Sequence, residues 1–348
     1  MTTITRRGSA RPLPLALTMG EPAGIGGEIA LKAWLRRGDG VPPFFAVDDP
    51  ARLAAASRRI GLPVPIREIS APEDAARVFA EAFPVLALTL AAPAVPGRID
   101  PSNARAVLAS IDCALDLVRQ GQAAAIVTNP IHKKTLYDAG FRHPGHTEYL
   151  AERAGGDASP VMMLVGGGLR VVPVTIHVPL REAIDRLSSE LIVAQGRILA
   201  KALISDCGLL RARIAVAGLN PHAGEDGALG REEIEVIAPA VERLRAEGID
   251  AIGPLPPDTL FHAAARPRYH AWLCMYHDQA LIPLKTLDFE RGVNVTLGLP
   301  FVRTSPDHGT ALAIAGTGQA SEASLVAAIM LAGEMAARRA LRSREVAV

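Results

Sequence analysis

Short apolar runs alternate along the chain with longer stretches in which apolar residues recur with the period of an α-helix. Runs of the first kind are typical of buried strands, and stretches of the second kind are typical of helices that pack on a sheet. Strands are predicted at Leu13–Met19, Phe44–Val47, Ala124–Val127, Leu169–Thr175, Arg213–Ala217 and Ala271–Met275. Helices are predicted at Gly26–Arg36, Asn103–Gln120, Leu180–Leu203, Arg231–Glu247 and Ser321–Arg342. The alternation predicts an α/β fold with a largely parallel sheet.

The composition is typical of a soluble globular protein. The chain has 348 residues, enough for two domains or one large domain, of which 49% are hydrophobic and 21% charged. A formal net charge of +1 provides no large electrostatic field for nucleic acid or a membrane surface, so a small molecule is the expected partner. The three cysteines are far apart and form no CxxC pair, which favours a reducing, cytoplasmic location. No apolar run approaches the ~20 residues that span a bilayer.

Polar clusters begin where five of the predicted strands end. They occupy residues 19–26, 128–134, 175–179, 218–225 and 275–279. In a parallel sheet the loops that follow the strand carboxyl ends converge at one edge, where ligands bind. We therefore expect the five clusters to form one site at a single edge of the sheet.

Three of these clusters contain a histidine close to the strand end, namely His177, His222 and His277. Three imidazoles from separate loops suit a borderline divalent ion such as zinc, cobalt or nickel and leave positions open for substrate. Their spacing matches no compact zinc motif, so each ring could instead satisfy a local backbone hydrogen bond. Asp278, beside His277, is a candidate metal-facing carboxylate or hydrogen-bond acceptor for that ring.

A second set of residues suits an anion. His146 and Thr147 stand at the predicted start of a helix, where backbone N–H groups and the helix dipole favour phosphate. Lys285, Asn294 and Arg303 follow in a segment, residues 283–304, that is predicted to be a shaped loop because glycines and prolines interrupt it. Lysine and arginine are the usual phosphate-binding side chains, although both could equally be solvated surface cations.

Glycine-rich segments carry less information. The spacing in Gly20-Glu-Pro-Ala-Gly-Ile-Gly26 differs from G-x-G-x-x-G, so a standard Rossmann fingerprint is absent. Gly166-Gly-Gly168 is predicted to be a turn between two strands, and the Pro-rich residues 91–101 a loop. Gly121 is predicted to end the helix that precedes it.

Read in order, the polar clusters resemble the 4-hydroxythreonine-4-phosphate dehydrogenases of pyridoxal phosphate biosynthesis, the PdxA family, along nearly the whole chain. The resemblance lies in residues 19–26 (MGEPAGIG), 145–148 (GHTE), 175–180 (TIHVPL), 218–225 (GLNPHAGE), 253–261 (GPLPPDTLF), 275–279 (MYHDQ), 291–305 (RGVNVTLGLPFVRTS) and 307–310 (DHGT). It implies the α/β/α sandwich of isocitrate and isopropylmalate dehydrogenases, with two domains and the active site in the cleft between them. The first domain is expected to comprise residues 1–128 and 305–348, and the second, with the metal ligands and dimer interface, residues 129–304.

The resemblance also implies roles for individual residues. His177, His222 and His277 correspond to the ligands of a divalent metal (zinc, cobalt or magnesium), which come from both subunits of a homodimer. The residues that correspond to the family's substrate contacts are His146, Thr147, Lys285, Asn294 and Arg303. The cofactor is expected to be NAD or NADP, with no binding residue assigned. Candidates for the general base are Asp278, Asp258 and Lys285, of which Asp278 ranks first because it is next to a ligand.

The implied reaction oxidises 4-phosphohydroxy-L-threonine to a 3-keto acid, which loses carbon dioxide to give 3-amino-2-oxopropyl phosphate. Residues 129–134 fit the family pattern loosely, which leaves open a paralogue that acts on D-threonate or D-erythronate 4-phosphate. The retention of Lys285, Asn294 and Arg303 favours a phosphorylated substrate over an aromatic dihydrodiol. A phosphotransacetylase-like transferase is a further alternative because the anion-binding residues occur without a Rossmann fingerprint, although such an enzyme has no need of three histidines. A non-catalytic binding module is the least favoured alternative.

Overall fold

The computed structural model describes residues 12–138, 140–143, 145–155 and 159–346, apart from the side chains of residues 146–148 and 344–346. In this part of the chain one sheet contains β1 (Leu15–Thr18), β2 (Phe44–Asp48), β3 (Ile66–Ile69), β4 (Phe83–Ala87), β5 (Ile126–Val127), β6 (Val161–Gly166), β7 (Leu169–Thr175), β8 (Arg213–Ala217), β9 (Asp250–Leu255), β10 (Ala271–Tyr276), β11 (Val293–Leu297) and β12 (Arg303–Pro306). The strand order is β3-β4-β2-β1-β5-β12-β11-β6-β7-β10-β8-β9.

The helices of the described residues cover both faces of this sheet. They are α1 (Gly26–Leu35), α2 (Pro50–Arg59), α3 (Ala75–Val78), α4 (Ala104–Arg119), α5 (Lys133–Asp138), α6 (His146–Ala154), α7 (Leu180–Arg186), α8 (Ser189–Ser205), α9 (Ala238–Ala246), α10 (His277–Leu287) and α11 (Ala323–Val346). Alternate residues of β1 explain the layers: Leu15 and Leu17 pack with α1 and α11, whereas Ala16 packs with α4 on the other face. Both faces are buried, which is why the strand is a continuous apolar run.

The sheet consists of two halves that run in opposite directions. Strands β1 to β5 and β12 are parallel to one another, and so are β7 to β10. Between the halves, β12 with β11, β11 with β6, and β6 with β7 are antiparallel pairs. Three successive reversals place the carboxyl ends of β7, β8 and β10 at the opposite edge from those of β1, β5 and β12. The expectation that five clusters meet at one edge is therefore wrong within a single chain, because the intervening strands reverse the sheet.

Several local expectations hold, and others need correction. β7 and β8 have the predicted bounds, and Gly167 and Gly168, with φ of 57° and 79°, form the turn between β6 and β7. The predicted helix Leu180–Leu203 is two helices, because Leu187 is extended and the Ser188 side chain accepts a hydrogen bond from the Leu191 N–H, which starts α8. Residues 91–100 form a loop, and the predicted last residue, Pro101, begins the short 3-10 helix Pro101–Asn103. Gly121, with φ of 69°, follows the end of α4.

The expectation of a shaped loop over residues 283–304 is also wrong. Lys285 lies in the last turn of α10, Asn294 in β11 and Arg303 at the start of β12. β11 and β12 are short and contain polar residues, so their local pattern did not identify them as strands. Within the described residues no helix is long and apolar enough to cross a membrane. The predicted domain boundaries stay a prediction.

Candidate active site

The three histidine-bearing loops follow neighbouring strands, in the order β7, β10 and β8. The ring centroids of His177 and His277 are 5.7 Å apart. The Thr175 hydroxyl donates a hydrogen bond of 2.9 Å to the Met275 carbonyl oxygen and so fixes the ends of β7 and β10 against each other. Both rings line a cavity of about 230 Å³ at the start of α7 and α10. Two of the three predicted ligands are thus brought together within one chain.

Asp278 contacts the His277 ring directly. The His277 Nδ1 and an Asp278 carboxylate oxygen are 2.6 Å apart. An ionised carboxylate can only accept, so this contact places the ring proton on Nδ1 and leaves the lone pair of Nε2 available. A histidine that binds a metal ion usually donates its other ring N–H to a carboxylate, a backbone carbonyl or water, which orients the ring. The geometry fits one of the two roles predicted for Asp278, that of a hydrogen-bond partner for the ring.

Two of the three histidines have unusual backbone conformations. His177 has φ of 53° and His222 has φ of 51°, both in the left-handed region. This region is uncommon for residues other than glycine, costs free energy, and persists where the surrounding structure enforces it, often at functional sites. The conformations are therefore evidence that the directions of these two side chains matter.

The three predicted ligands do not come together as one metal site in the described part of the chain. Among the described residues no group of three or more His, Cys, Asp or Glu side chains is arranged to hold a metal ion. His222 follows β8 in the segment Pro221–Gly227, and the exposed Asp258 lies in the neighbouring turn Pro257–Thr259. The predicted set of three ligands therefore stays a prediction. The paired rings, with Asp278 orienting one of them, nevertheless suit a divalent cation.

The residues predicted to bind phosphate occupy a different part of the molecule. α10 begins at His277, where β10 ends, and runs back over β6, β7 and β10. Lys285 in its last turn therefore lies at the opposite edge, where its Nζ is 3.1 Å from a carboxylate oxygen of Asp307, which follows β12. Asn294 in β11 pairs with Ser305 of β12 near the same edge. Lys285 and Asn294 are thus separated from the histidine pair by the length of the strands.

Arg303 is a buried residue and not a solvated surface cation. It is 4% exposed, and its guanidinium donates hydrogen bonds of 2.6 Å to the Thr128 hydroxyl and 2.9 Å to the Thr296 hydroxyl. Thr128 is the first residue after β5, so the guanidinium lies near the edge that also carries Lys285. His146 is the first residue of α6, as expected for a helix start, but the side chains of His146 and Thr147 lie outside the described residues.

Buried polar residues at the same edge were missed by the sequence analysis. Glu21, which follows β1, is 5% exposed, and burial raises its pKa although the Ala23 N–H donates to it at 3.0 Å. Burial also raises the pKa of Asp48 to about 6 despite its ion pair with Arg52 at 3.2 Å. Arg52 Nε and Asn129 Oδ1 are buried and have no hydrogen-bond partner within the described part of the chain. A carboxylate next to a glycine-rich turn, as at Glu21, was the sequence signal that could have identified such a residue.

Comparisons with known proteins identify the family. The sequence profile described as PdxA, pyridoxal phosphate biosynthetic protein, matches residues 41–332. A 4-hydroxythreonine-4-phosphate dehydrogenase from Bradyrhizobium diazoefficiens is 57% identical over 338 residues, which cover 94% of this chain and 98% of that protein. The chain belongs to the PdxA family. The resemblance inferred from the motifs is confirmed.

Solved structures of similar proteins share the fold. A 4-hydroxythreonine-4-phosphate dehydrogenase from Klebsiella pneumoniae is 39% identical with a TM-score of 0.83, covering 93% of this chain and 99% of that one. A terephthalate 1,2-cis-dihydrodiol dehydrogenase from Burkholderia xenovorans is 30% identical with a TM-score of 0.64, covering 93% and 98%. The predicted α/β fold class is confirmed. The second structure shows that a dehydrogenase named for a substrate without a phosphate group has the same fold.

Proposed function

We propose that this PdxA-family chain is a 4-hydroxythreonine-4-phosphate dehydrogenase that acts in the biosynthesis of pyridoxal 5'-phosphate. It oxidises the secondary hydroxyl of 4-phosphohydroxy-L-threonine with NAD or NADP, and the keto acid then loses carbon dioxide to give 3-amino-2-oxopropyl phosphate. The observation that carries the proposal is the 57% identity to a protein named 4-hydroxythreonine-4-phosphate dehydrogenase, in an alignment that covers 98% of that protein. The histidine pair and the buried Arg303 supply suitable chemistry at the positions that the family motifs indicate.

The active site is assembled from two copies of the chain. The histidines and the Lys285 end of α10 lie at opposite edges of the sheet, so a site that needs both takes them from different subunits. Exposed apolar side chains on α7 and α10, the two helices next to the histidine pair, support an interface there. They are Leu180, Ile184 and Ile282, which are 58%, 40% and 63% exposed. Apolar side chains clustered at a protein surface are typical of contacts between proteins.

His177, His222 and His277 would hold the divalent cation. Such an ion supplies Lewis acidity toward a hydroxyl and a developing carbonyl oxygen. Zinc or cobalt suits imidazole ligands better than magnesium does. Asp278, through its 2.6 Å contact with Nδ1, orients the His277 ring. This contact favours an orienting role for Asp278, whereas Asp258 and Lys285 remain candidates for the general base.

The phosphate would bind at the partner's opposite edge. The Lys285 side chain is 37% exposed, carries a positive charge and pairs with Asp307. Arg303 and Asn294 add polar groups from the neighbouring strands of the sheet. His146 and Thr147, at the start of α6, complete the set by family correspondence. Anchoring the phosphate would turn the carbinol hydrogen toward the nicotinamide. Alignment of the two reacting groups in this way raises the rate of hydride transfer. We place the reaction in the cytoplasm, in keeping with three free cysteines.

The substrate is tested by comparing relatives of the same chemical class. The rate of NAD and NADP reduction is measured with 4-phosphohydroxy-L-threonine and with D-threonate and D-erythronate 4-phosphates, with added Zn²⁺, Co²⁺ or Mg²⁺ and with a chelator. The proposal expects the highest kcat/KM for the first compound and loss of turnover with the chelator. A higher kcat/KM for a sugar-acid phosphate would assign the chain to a paralogous reaction. The relatives named above are dehydrogenases, so the phosphotransacetylase-like alternative is set aside.

A further inference from the structure

The segment that carries His222 has a rare backbone conformation. Its five residues from His222 to Asp226 all have positive φ, with values of 51°, 52°, 80°, 42° and 54°. Within the described residues six non-glycine residues have positive φ, and four of them lie here. Left-handed backbone is unfavourable for L-residues, which adopt it singly and not as consecutive turns. A run of this length persists only if the surrounding structure enforces it.

The residues that precede this segment bind the carboxylate of Glu233. Glu233 is 3% exposed and lies in the helical turn Glu233–Ile237. Its Oε1 accepts the backbone N–H groups of Leu219 and Asn220, each at 2.7 Å, and its Oε2 accepts the Asn220 side-chain amide at 2.9 Å. Charge-assisted hydrogen bonds of this kind are stronger than neutral ones. The carboxylate therefore fixes the path of the chain between β8 and His222.

Two glycines, Gly218 before the segment and Gly224 within it, fit closely around the same carboxylate. A Cβ added at Gly224 would lie 2.6 Å from Glu233 Oε2, and one added at Gly218 would lie 3.1 Å from Oε1. Gly224 also has φ of 80°, which glycine adopts at little cost. The left-handed segment thus closes over Glu233 and leaves no room for another side chain.

We propose that Glu233 is a positioning residue that holds residues 222–226 in their left-handed conformation and thereby directs the His222 ring toward the metal. This inference rests on the proposed function, in which His222 is a metal ligand. Glu233 is not among the residues assigned to the metal or the substrate. Its role is to fix the backbone from which the ligand projects, so its loss weakens metal binding and leaves phosphate binding unaffected.

The test is Glu233→Gln in the full-length enzyme. The amide keeps the size of the side chain but removes the charge and places an NH₂ group against the Asn220 amide, where two donors face each other. We expect hydrogen exchange of residues 218–227 in the metal-free protein to accelerate by about tenfold and Co²⁺ affinity, measured by calorimetry, to fall by about 10- to 100-fold. At limiting Co²⁺ the kcat falls, excess Co²⁺ restores it, and the KM for the phosphorylated substrate stays within about twofold.

Glu235→Gln is the matched control. Glu235 lies two residues along the chain and pairs on the surface with Arg231 at 2.6 Å, so this variant removes a carboxylate without touching the segment. We expect wild-type exchange, Co²⁺ affinity and kcat. Unchanged exchange and unchanged Co²⁺ affinity in Glu233→Gln would overturn the inference.

Further variants keep the outcomes distinguishable. If Glu233→Gln does not fold, as judged by circular dichroism, Asn220→Ala removes the amide contacts with Glu233 Oε2 and Glu232 Oε2, and Glu232→Gln changes the second partner alone. Faster exchange in Asn220→Ala than in Glu232→Gln supports the inference, and exchange no faster than in Glu232→Gln overturns it. His222→Ala tests the proposed function separately. If that variant binds Co²⁺ as the wild type does, the ligand assignment is wrong and the positioning role toward the metal is overturned with it, whatever the exchange of residues 218–227.

Discussion

The two edges of the sheet hold their functional side chains in different ways. At the histidine edge, three parallel neighbours β7, β10 and β8 present rings from left-handed or tightly tied loops. At the opposite edge, charged side chains are buried against polar partners. Arg52 pairs with Asp48, and Arg303 donates to two threonine hydroxyls. Glu21 accepts the Ala23 N–H. At the histidine edge the backbone conformation sets the direction of the rings. At the opposite edge burial sets the positions of the charged side chains. In the proposed dimer each edge supplies half of a site, and the histidine edge of one subunit faces the charged edge of the other.

The largest expected effect is on the histidine edge. His222→Ala should leave a folded dimer that loses the divalent ion, with kcat reduced by about 10³-fold, because a catalytic metal contributes several kcal/mol to transition-state stabilisation. Metal content by mass spectrometry, turnover and dimer mass check the prediction. Retained metal with unchanged turnover would contradict the ligand assignment. Lys201→Ala, at an exposed lysine, is a control expected to behave as wild type.

The next prediction joins the two edges. His222→Ala and Lys285→Ala homodimers should each be nearly inactive, but mixing them under conditions that exchange subunits should restore activity to about a quarter of the wild-type value. In a mixed dimer one site takes His222 and Lys285 from the two unaltered edges and is intact. If histidines and Lys285 served the same site within one chain, no mixed dimer would contain an intact site. Absence of recovery despite proven subunit exchange would therefore contradict the shared site.

A smaller effect is expected at the charged edge, in the pH dependence of stability. Burial raises the pKa of Asp48 from 3.8 to about 6, so between these values the folded protein holds a proton that the unfolded chain has released. The free energy of unfolding contributed by Asp48 therefore falls as the pH rises through this window and is constant above it. The difference in that free energy between wild type and Asp48→Asn should change by ~2–3 kcal/mol across the window.

Urea unfolding at several pH values checks this prediction. Asp39→Asn provides the control, because Asp39 is 58% exposed and should show no comparable change relative to wild type. A parallel pH dependence of wild type and Asp48→Asn would mean that Asp48 is not protonated by burial.

The smallest effect concerns the contact between two histidine loops. Gln279 is 7% exposed; its amide donates to the Gly218 carbonyl oxygen at 2.7 Å and its oxygen accepts from the Met275 N–H at 2.6 Å. Gln279→Glu keeps the second contact but opposes two oxygens at the first, so Co²⁺ affinity should fall by about tenfold. Calorimetry measures this, with exposed Gln122→Glu as the charge control. Equal affinities would indicate that the ends of β8 and β10 need no such link.

Much of the fold could be predicted from sequence, because local patterns decide it. β7 and β8 are long apolar runs bounded by turn residues, and their bounds were predicted correctly. The break at Leu187 was missed because apolar periodicity continues across it, and Arg303–Pro306 was missed because four mostly polar residues do not read as a buried strand. The reversal of the sheet depends on pairing between residues far apart in sequence, which no local pattern reports.

The candidate site could be predicted only in part, for a related reason. His177, His222 and His277 are noticeable because histidine follows a strand end in each case. Glu233 looks in the sequence like one more acidic residue of a solvated helix, and only the folded loop reveals its burial. The assignment of the three histidines and of the phosphate contacts stays a prediction, because in the proposed dimer each site takes residues from two chains.

The eleven residues of α10 have a further consequence in the proposed dimer. His277 begins this helix in one catalytic centre, and Lys285, two turns later, reaches into the other. Each α10, about 16 Å long and with Pro283 inside it, would therefore have one end in each centre. Phosphate binding to Lys285 in one centre would then affect the position or mobility of His277 in the other. Substrate binding in the two centres of the dimer would be coupled, and plots of rate against substrate concentration would depart from a simple hyperbola.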